Sequence, residues 1–189
     1  AKMIFNELDK RAIEWNQIAN GHRSLEDRIN TQIDQCNEEM CKEFFYWLGE
    51  LSKYNLKFDE SKIKTEILDG FADSRFVCVE FFALESDTSN YFPFIHELYQ
   101  SMLDAAGIVF VDSVLLEAYH RVIESNFSKF VQSDDMTLEQ AILESNVISL
   151  AYNCKCDPEL INDYWVFCDQ NGKIRKPSTF KPVDLSDLI

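Results

Sequence analysis

Glycine and proline are scarce in this chain, with five and four copies among 189 residues. So few breakers rule out frequent interruption of helices and point to an all-α core. Basic residues are also few: 18 Lys and Arg face 33 Asp and Glu, for a formal net charge of -15. Such a chain repels a phosphate backbone, which excludes broad binding of a nucleic acid polymer through a basic face. A small phosphorylated ligand stays admissible where a metal neutralises the local charge. No run approaches the roughly 20 apolar residues that span a bilayer. The first helical segment carries Glu7, Asp9, Lys10 and Arg11 instead of a signal-peptide pattern. A cytoplasmic protein with no membrane partner is therefore expected. Paired cysteine motifs are missing as well. Cys36, Cys41 and Cys78 lie inside helical apolar patterns, where a free thiol behaves as a small hydrophobe. Cys154-Lys-Cys156 with Cys168 lacks the paired C-x2-C spacing of structural zinc sites. Reduced thiols are expected throughout.

What is present is a 46% hydrophobic composition with 15 Phe. That is enough for one domain with a substantial core, and helical chains of this size often complete their core by oligomerising, so a homodimer or homotetramer is expected. Over residues 2–20, Ile4, Leu8, Ile13, Trp15 and Ile18 form one amphipathic stripe ended by Gly21. Ser24 with Asp27 opens a long second helix, in which Leu25, Ile29, Ile33, Cys36, Met40, Phe44, Trp47 and Leu51 recur at helical spacing. A third helix over 62–84 is apolar nearly all round in its later half, as a central buried helix is. After a loop over 86–90, a fourth helix is expected over 91–106, stopped by Gly107, and a fifth over 110–131. A short sixth helix starts at Thr137, boxed with Gln140. Beyond Pro158, Tyr164-Trp-Val-Phe-Cys168 is β-prone, and residues 173–176 are expected to return as its partner strand. The expected architecture is all-α: a four- to five-helix bundle over residues 1–153, followed by an extension over 154–189 with a short β-hairpin-like tail.

The chemistry concentrates in acids. Glu39 and Glu43 are four apart on the second helix, and Asp69 and Asp73 are four apart on the third, so each pair stacks on one face; Glu66 joins at i, i+3. Solvated acidic faces are the usual result of such spacing in an acid-rich chain. Here Asp69 and Asp73 sit in Leu68-Asp-Gly-Phe-Ala-Asp-Ser-Arg-Phe-Val-Cys-Val, on the most hydrophobic helix of the chain. A buried acidic cluster is costly unless a cation neutralises it, and Mg²⁺ is the hard-oxygen partner that also bridges to phosphates. Glu39, Glu43, Glu66, Asp69 and Asp73 are therefore the candidate metal ligands, with Mn²⁺ as a possible substitute ion.

Three stretches resemble the all-α nucleoside triphosphate pyrophosphohydrolases, which include MazG-like proteins, phosphoribosyl-ATP pyrophosphohydrolase and the dimeric dUTPases. They are Asn37-Glu-Glu-Met-Cys-Lys-Glu43, then Glu66-Ile-Leu-Asp-Gly-Phe-Ala-Asp73 with Phe76-Val77, and finally Ser125-Asn-Phe-Ser-Lys129 with Asn171-Gly-Lys-Ile-Arg-Lys-Pro177 and Phe180-Lys-Pro-Val-Asp-Leu185. The resemblance runs from about Arg28 to Leu185. It departs at two places. The family spaces its first glutamates E-x-x-E, whereas three residues separate Glu39 from Glu43 and Lys42 holds the expected position, so one of Glu38, Glu39 and Glu43 is a bystander. The second motif reads either as Glu66-x-x-Asp69 or with Asp73 as its final aspartate. Many relatives carry His-Arg where this chain has Ile123-Glu124, and His120 with Arg121 offer a substitute one turn earlier.

The resemblance implies Mg²⁺-assisted cleavage of a nucleoside triphosphate to the monophosphate and pyrophosphate. Glu39 or Glu43 would act as catalytic base, and Asn126, Lys129, Lys173 and Lys176 would contact the substrate. Trp15, Phe44, Trp47 and Phe81 are ordinary core aromatics at this level of reading. The rival from a different class is a non-catalytic acidic helical interaction protein that keeps the fold. Within enzymes the rival is a narrower pyrophosphatase for dUTP or dCTP.

Overall fold

A computed structural model describes residues 4–53, 58–84 and 92–189. The expected loop over 86–90 lies outside them. Helix α1 (Glu7–Asn20) begins at Glu7 and not near residue 2, because Asn6 and Asp9 form a reciprocal capping box: the Asp9 amide donates to Asn6 Oδ1 at 2.8 Å and the Asn6 amide to Asp9 Oδ2 at 3.1 Å. The long second helix is one helical run in three parts. α2 (Leu25–Asn37), capped by Ser24, passes into a π-helical segment (Glu38–Phe44) and then α3 (Phe45–Leu51). α4 (Glu60–Leu84) is the central element, buried from Ile63 to Phe82 along most of its turns. α5 (Phe92–Val109) and α6 (Asp112–Phe127) complete the helical layer.

Two helix ends differ from expectation. Gly107 lies inside α5, which runs on to Val109. A glycine there costs about 1 kcal/mol of helix propensity, too little to end a helix that buries Met102 and Ala106. α6 closes at Phe127, and Val131 is drawn into a sheet.

That sheet has three antiparallel strands in the order β1-β3-β2: β1 (Val131–Gln132), β2 (Cys156–Ile161) and β3 (Tyr164–Asp169). The expected partner of β3 is corrected. Residues 173–176 contribute a single bridge, Ile174 to Cys168, while β2 pairs along its whole length from Cys156 opposite Asp169 to Ile161 opposite Tyr164. Asn162 and Asp163 both have positive φ, 46° and 65°, the mirror-image turn that matches strand twist in a two-residue hairpin. Pro158 is tolerated because β2 is an edge strand, where its missing N–H deprives no neighbour. The molecule is thus mostly helical with a small sheet and not purely α.

α7 (Leu138–Tyr152) carries the expected Thr137–Gln140 capping box and packs its Ala141 and Ile148 against Cys156, Trp165 and Phe167. This small second core spans the expected division at 153/154, and Val166 and Leu185 from beyond it join the main core. α1 is pinned to α4 and α6 through Asp9, whose carboxylate accepts from Arg75 at 3.2 and 3.3 Å and from the Tyr119 hydroxyl at 2.8 Å. Among the described residues, no helix is long and apolar enough to cross a membrane.

Candidate functional site

The π-helical segment meets α4 at Gly70, backbone to backbone. A Cβ there would stand 2.9 Å from the Phe44 nitrogen and 3.0 Å from its Cα, so only glycine allows the approach. The widened i→i+5 turn keeps Glu39 and Glu43 on one face, since a π turn holds more residues than an α turn and a four-residue step nearly completes it.

The approach makes the five acids one electrostatic unit. The Glu39 carboxyl is pushed up to about 7, first by burial and then by Glu43, Asp69 and Glu38. Burial raises Asp69, helped by Glu66 and Glu43, while a hydrogen bond with Asp73 opposes. Asp73 is held well above the usual carboxylate range by burial, then by Asp69 and Glu39. Like charges this close resist full ionisation together unless a cation joins them. The donor set is all oxygen, which suits a hard divalent ion. Among the described residues, however, no three acids are drawn into a ready-made ligand cluster. The match to a metal lies in the chemistry of the donors and not in a preformed cage.

Basic residues face this unit. Lys129 Nζ donates to Asn126 Oδ1 at 3.0 Å and stands 5.5 Å from the Trp15 ring centre. Its ammonium pKa is lowered by burial and by Lys176 and Lys173, with Asp73 pulling the other way. The four groups therefore share one neighbourhood. Asp73, Glu39, Asn126, Lys129 and Lys173 all border a cleft of about 490 Å³. Its lining comes from α1, the end of α2, the π segment, α4, the end of α6 and the loop after β3.

That loop is organised by Asp169. Its Oδ1 accepts from the amides of Asn171 and Lys173 at 2.9 and 3.0 Å, and Arg175 donates to its Oδ2. Gly172 takes φ +79°, where a side chain would be strained, and its carbonyl accepts from Arg23 Nη2 at 3.3 Å. The result places Lys173 at the cleft. Farther on, Ser125 Oγ donates to the Lys181 carbonyl, Ser128 Oγ donates to the Ser125 carbonyl, and the Lys181 amide donates to Ser128 Oγ. Arg121 grips Asp187 at 2.6 and 3.0 Å and the Asp184 carbonyl at 3.1 Å. Val183, Asp184 and Leu185 then border a second hollow beside Glu66 and Asp69. The tail thus flanks the acids on two sides.

Every sequence-derived candidate except Lys176 and the exposed Glu43 borders one of these two hollows, and both join the site electrostatically, Lys176 through Lys129 and Glu43 through Glu39. The substitute pair fails: Arg121 is a tail anchor, and His120 sits exposed beside Glu117 and Glu124. Phe44 and Phe81 are fully buried, and Trp47 packs edge-on to Phe58. Trp15 does reach the cleft, its indole N–H donating to the Asn126 carbonyl at 2.8 Å. Asn16, Asn20, Arg23 and Gln35 line the cleft and were not singled out from sequence. The available signal was Asn16, a polar residue between the apolar Trp15 and Ile18. All six cysteines are free thiols. In comparisons with known proteins, no family model matches the chain, and no curated protein or solved structure matches it.

Proposed function

We propose that this chain is a Mg²⁺-dependent nucleoside triphosphate pyrophosphohydrolase of the all-α, MazG-like kind, cleaving (d)NTP to (d)NMP and pyrophosphate. The observation that carries the reading is the set of five neighbouring carboxylates, of which Glu39, Asp69 and Asp73 are raised by burial and by the others, beside a lysine-bordered cleft. The π segment adds support. The resemblance calls for E-x-x-E, and the one extra residue before Glu43 falls inside the turn that is wide enough to absorb it.

Lys129, Lys173 and Lys176 draw the polyphosphate into the cleft, and Asn126 holds Lys129 in place. Glu39, which borders the cleft together with Asp73, is the general base that takes the proton of the attacking water. The water oxygen bonds to the α-phosphorus, the bond to the α–β bridging oxygen breaks, and the electron pair leaves with pyrophosphate. Glu43, exposed at the rim of the same face, orients the water. Glu39, Glu43, Glu66, Asp69 and Asp73 would hold Mg²⁺, or Mn²⁺ in its place, which would supply charge neutralisation for the phosphates and make water a better nucleophile.

The test is a panel of canonical nucleoside triphosphates with Mg²⁺, scored for monophosphate and pyrophosphate together. Glu39→Gln should lower kcat by about 10²–10⁴, and Asp73→Asn should abolish the response to Mg²⁺. Release of no pyrophosphate from any nucleotide would leave the rival reading, an acidic interaction protein, in its place. The same proposal includes a homodimer or homotetramer in the cytoplasm acting on nucleotide pools.

A further inference from the structure

We propose that the outward face of α7 is a docking surface for an amphipathic helix of a partner protein, one whose apolar row is flanked by Lys or Arg. The hollow on this face shares no residue with the cleft or with the hollow beside Glu66 and Asp69, so the inference stands apart from the nucleotide reading. Leu143, Val147 and Leu150 follow one another at steps of four and three, the spacing that keeps side chains on one side of a helix. They are 64%, 57% and 85% exposed. Beside this row, Met136, Leu143 and Val147 line a hollow of about 270 Å³ together with Asp135, Gln140 and Glu144.

The charge around the face is of one sign. Between Lys129 and Lys155 the chain has Asp134, Asp135, Glu139 and Glu144 and no basic residue. Among the described residues none of these four acids is ion-paired. The Ser178 amide donates to Glu144 Oε1 at 2.6 Å and the Ser178 hydroxyl to Oε2 at 3.0 Å, which fixes that carboxylate at the hollow without neutralising it. A side chain with an apolar stem and a cationic head answers both features: the stem covers Met136, Leu143 and Val147 while the head reaches Asp135 or Glu144. Lys and Arg have that shape. A helix suits as their scaffold, because α7 offers 15 residues, about 22 Å, along which a second helix can set its apolar row against Leu143, Val147 and Leu150. A second copy of this chain matches the apolar row, but its own α7 brings the same four acids and no base to meet them, and facing like charges disfavour that pairing.

The test follows the fluorescence anisotropy of a labelled helical peptide of Leu and Lys, with Leu on one face, as the full chain is added at low salt without nucleotide. Two further peptides serve as comparison: one of the same composition, scrambled so that Leu no longer shares a face, and one with Glu in place of Lys. The variants are Val147→Ser with Leu150→Ser, Asp135→Asn with Glu144→Gln, and Glu97→Gln, an exposed acid on α5. Thermal melting checks that each folds. The Leu/Lys helix should bind, the serine pair should weaken it roughly tenfold, and the Asp135/Glu144 pair should weaken it about as much while flattening its salt dependence. Glu97→Gln should leave it unchanged. No binding overturns the proposal, as does equal binding of the Glu helix. If the scrambled peptide binds as tightly, or Glu97→Gln acts like the Asp135/Glu144 pair, the contact is adhesion to net charge and the proposal falls. A wild-type dimer that Val147→Glu splits gives the face to a second copy and overturns it too.

Discussion

Glu39, Asp69 and Asp73 each hold a proton more readily in the folded chain than in the unfolded one, because burial and neighbouring carboxylates disfavour their charge. For Glu39 the folded value is about 7 against an ordinary 4.5. Between those values the native state binds more protons than the unfolded state, so stability falls as pH rises through the window. Glu80 is also raised to about 7, by burial against the opposing pull of Arg28, and acts in the same direction. With a chelator present, the urea midpoint should therefore be higher at pH 5 than at pH 8; an equal midpoint would show that these acids ionise freely. Asp73→Asn removes the most strongly perturbed of the five. It should raise stability at pH 8 by on the order of 1 kcal/mol while cancelling the rise in melting temperature that millimolar Mg²⁺ gives the wild type. A wild type that melts alike with and without Mg²⁺ would count against a cation site. At this scale the spacing of the five acids and the apolar setting of Asp69 and Asp73 made them candidates in the sequence, whereas Asn16 was hidden, because an amide between Trp15 and Ile18 looks the same in sequence whether it faces a cleft or a neighbouring helix.

At the scale of elements, the decisive contact is α4 against the π segment. Gly70→Ala would force the two backbones apart, since its Cβ would meet Phe44 main-chain atoms at 2.9 and 3.0 Å. A cost of about 1–3 kcal/mol is expected, measured by denaturant unfolding, with a parallel loss of the Mg²⁺ response. Retention of both would mean that the helices do not need this approach. The Ser-Asn-x-Ser-Lys stretch and the Pro-x-Asp-Leu stretch, which sequence shows only as two distant motifs, prove to be two halves of one clamp. Arg121 completes it. Arg121→Ala should speed tryptic cleavage at Lys173 or Arg175, the tail's basic residues not followed by proline, by roughly up to fivefold, the effect of losing an exposed ion pair; an unchanged digestion rate would assign the anchoring to Leu185 alone. Helix positions were readable because periodicity and capping are local, as at Thr137 and Gln140. The pairing of β3 was not, because residues 156–161 and 173–176 both lie within turn distance, and the two-residue turn at Asn162-Asp163 together with the packing of α7 onto the sheet favours the first.

At the scale of the molecule, α7 stands out as apolar on both faces. One face covers the small sheet, and the other leaves Leu138, Ile142, Leu143, Val147 and Leu150 exposed, the last at 85%. A helix apolar all round is normally a buried one, and an uncharged strip is self-complementary about a two-fold axis. If self-association of the proposed kind uses this face, sedimentation should find a dimer for the wild type and a monomer for Val147→Glu, with folding intact. A monomeric wild type at working concentration would remove the oligomer from the proposal.

Sequence by itself determined the helical class, the excess of acid, the helix faces on which Glu39, Glu43, Glu66, Asp69 and Asp73 lie, and the free state expected of the cysteines, since each depends on composition or on residues a few positions apart. Tertiary structure decided what those faces meet. It placed Gly70 on Phe44, opened the turn that keeps Glu39 and Glu43 aligned, set α1 across the cleft, and carried the tail past both sides of the acids. Those outcomes depend on side-chain shape and burial between residues tens of positions apart, which local spacing does not encode.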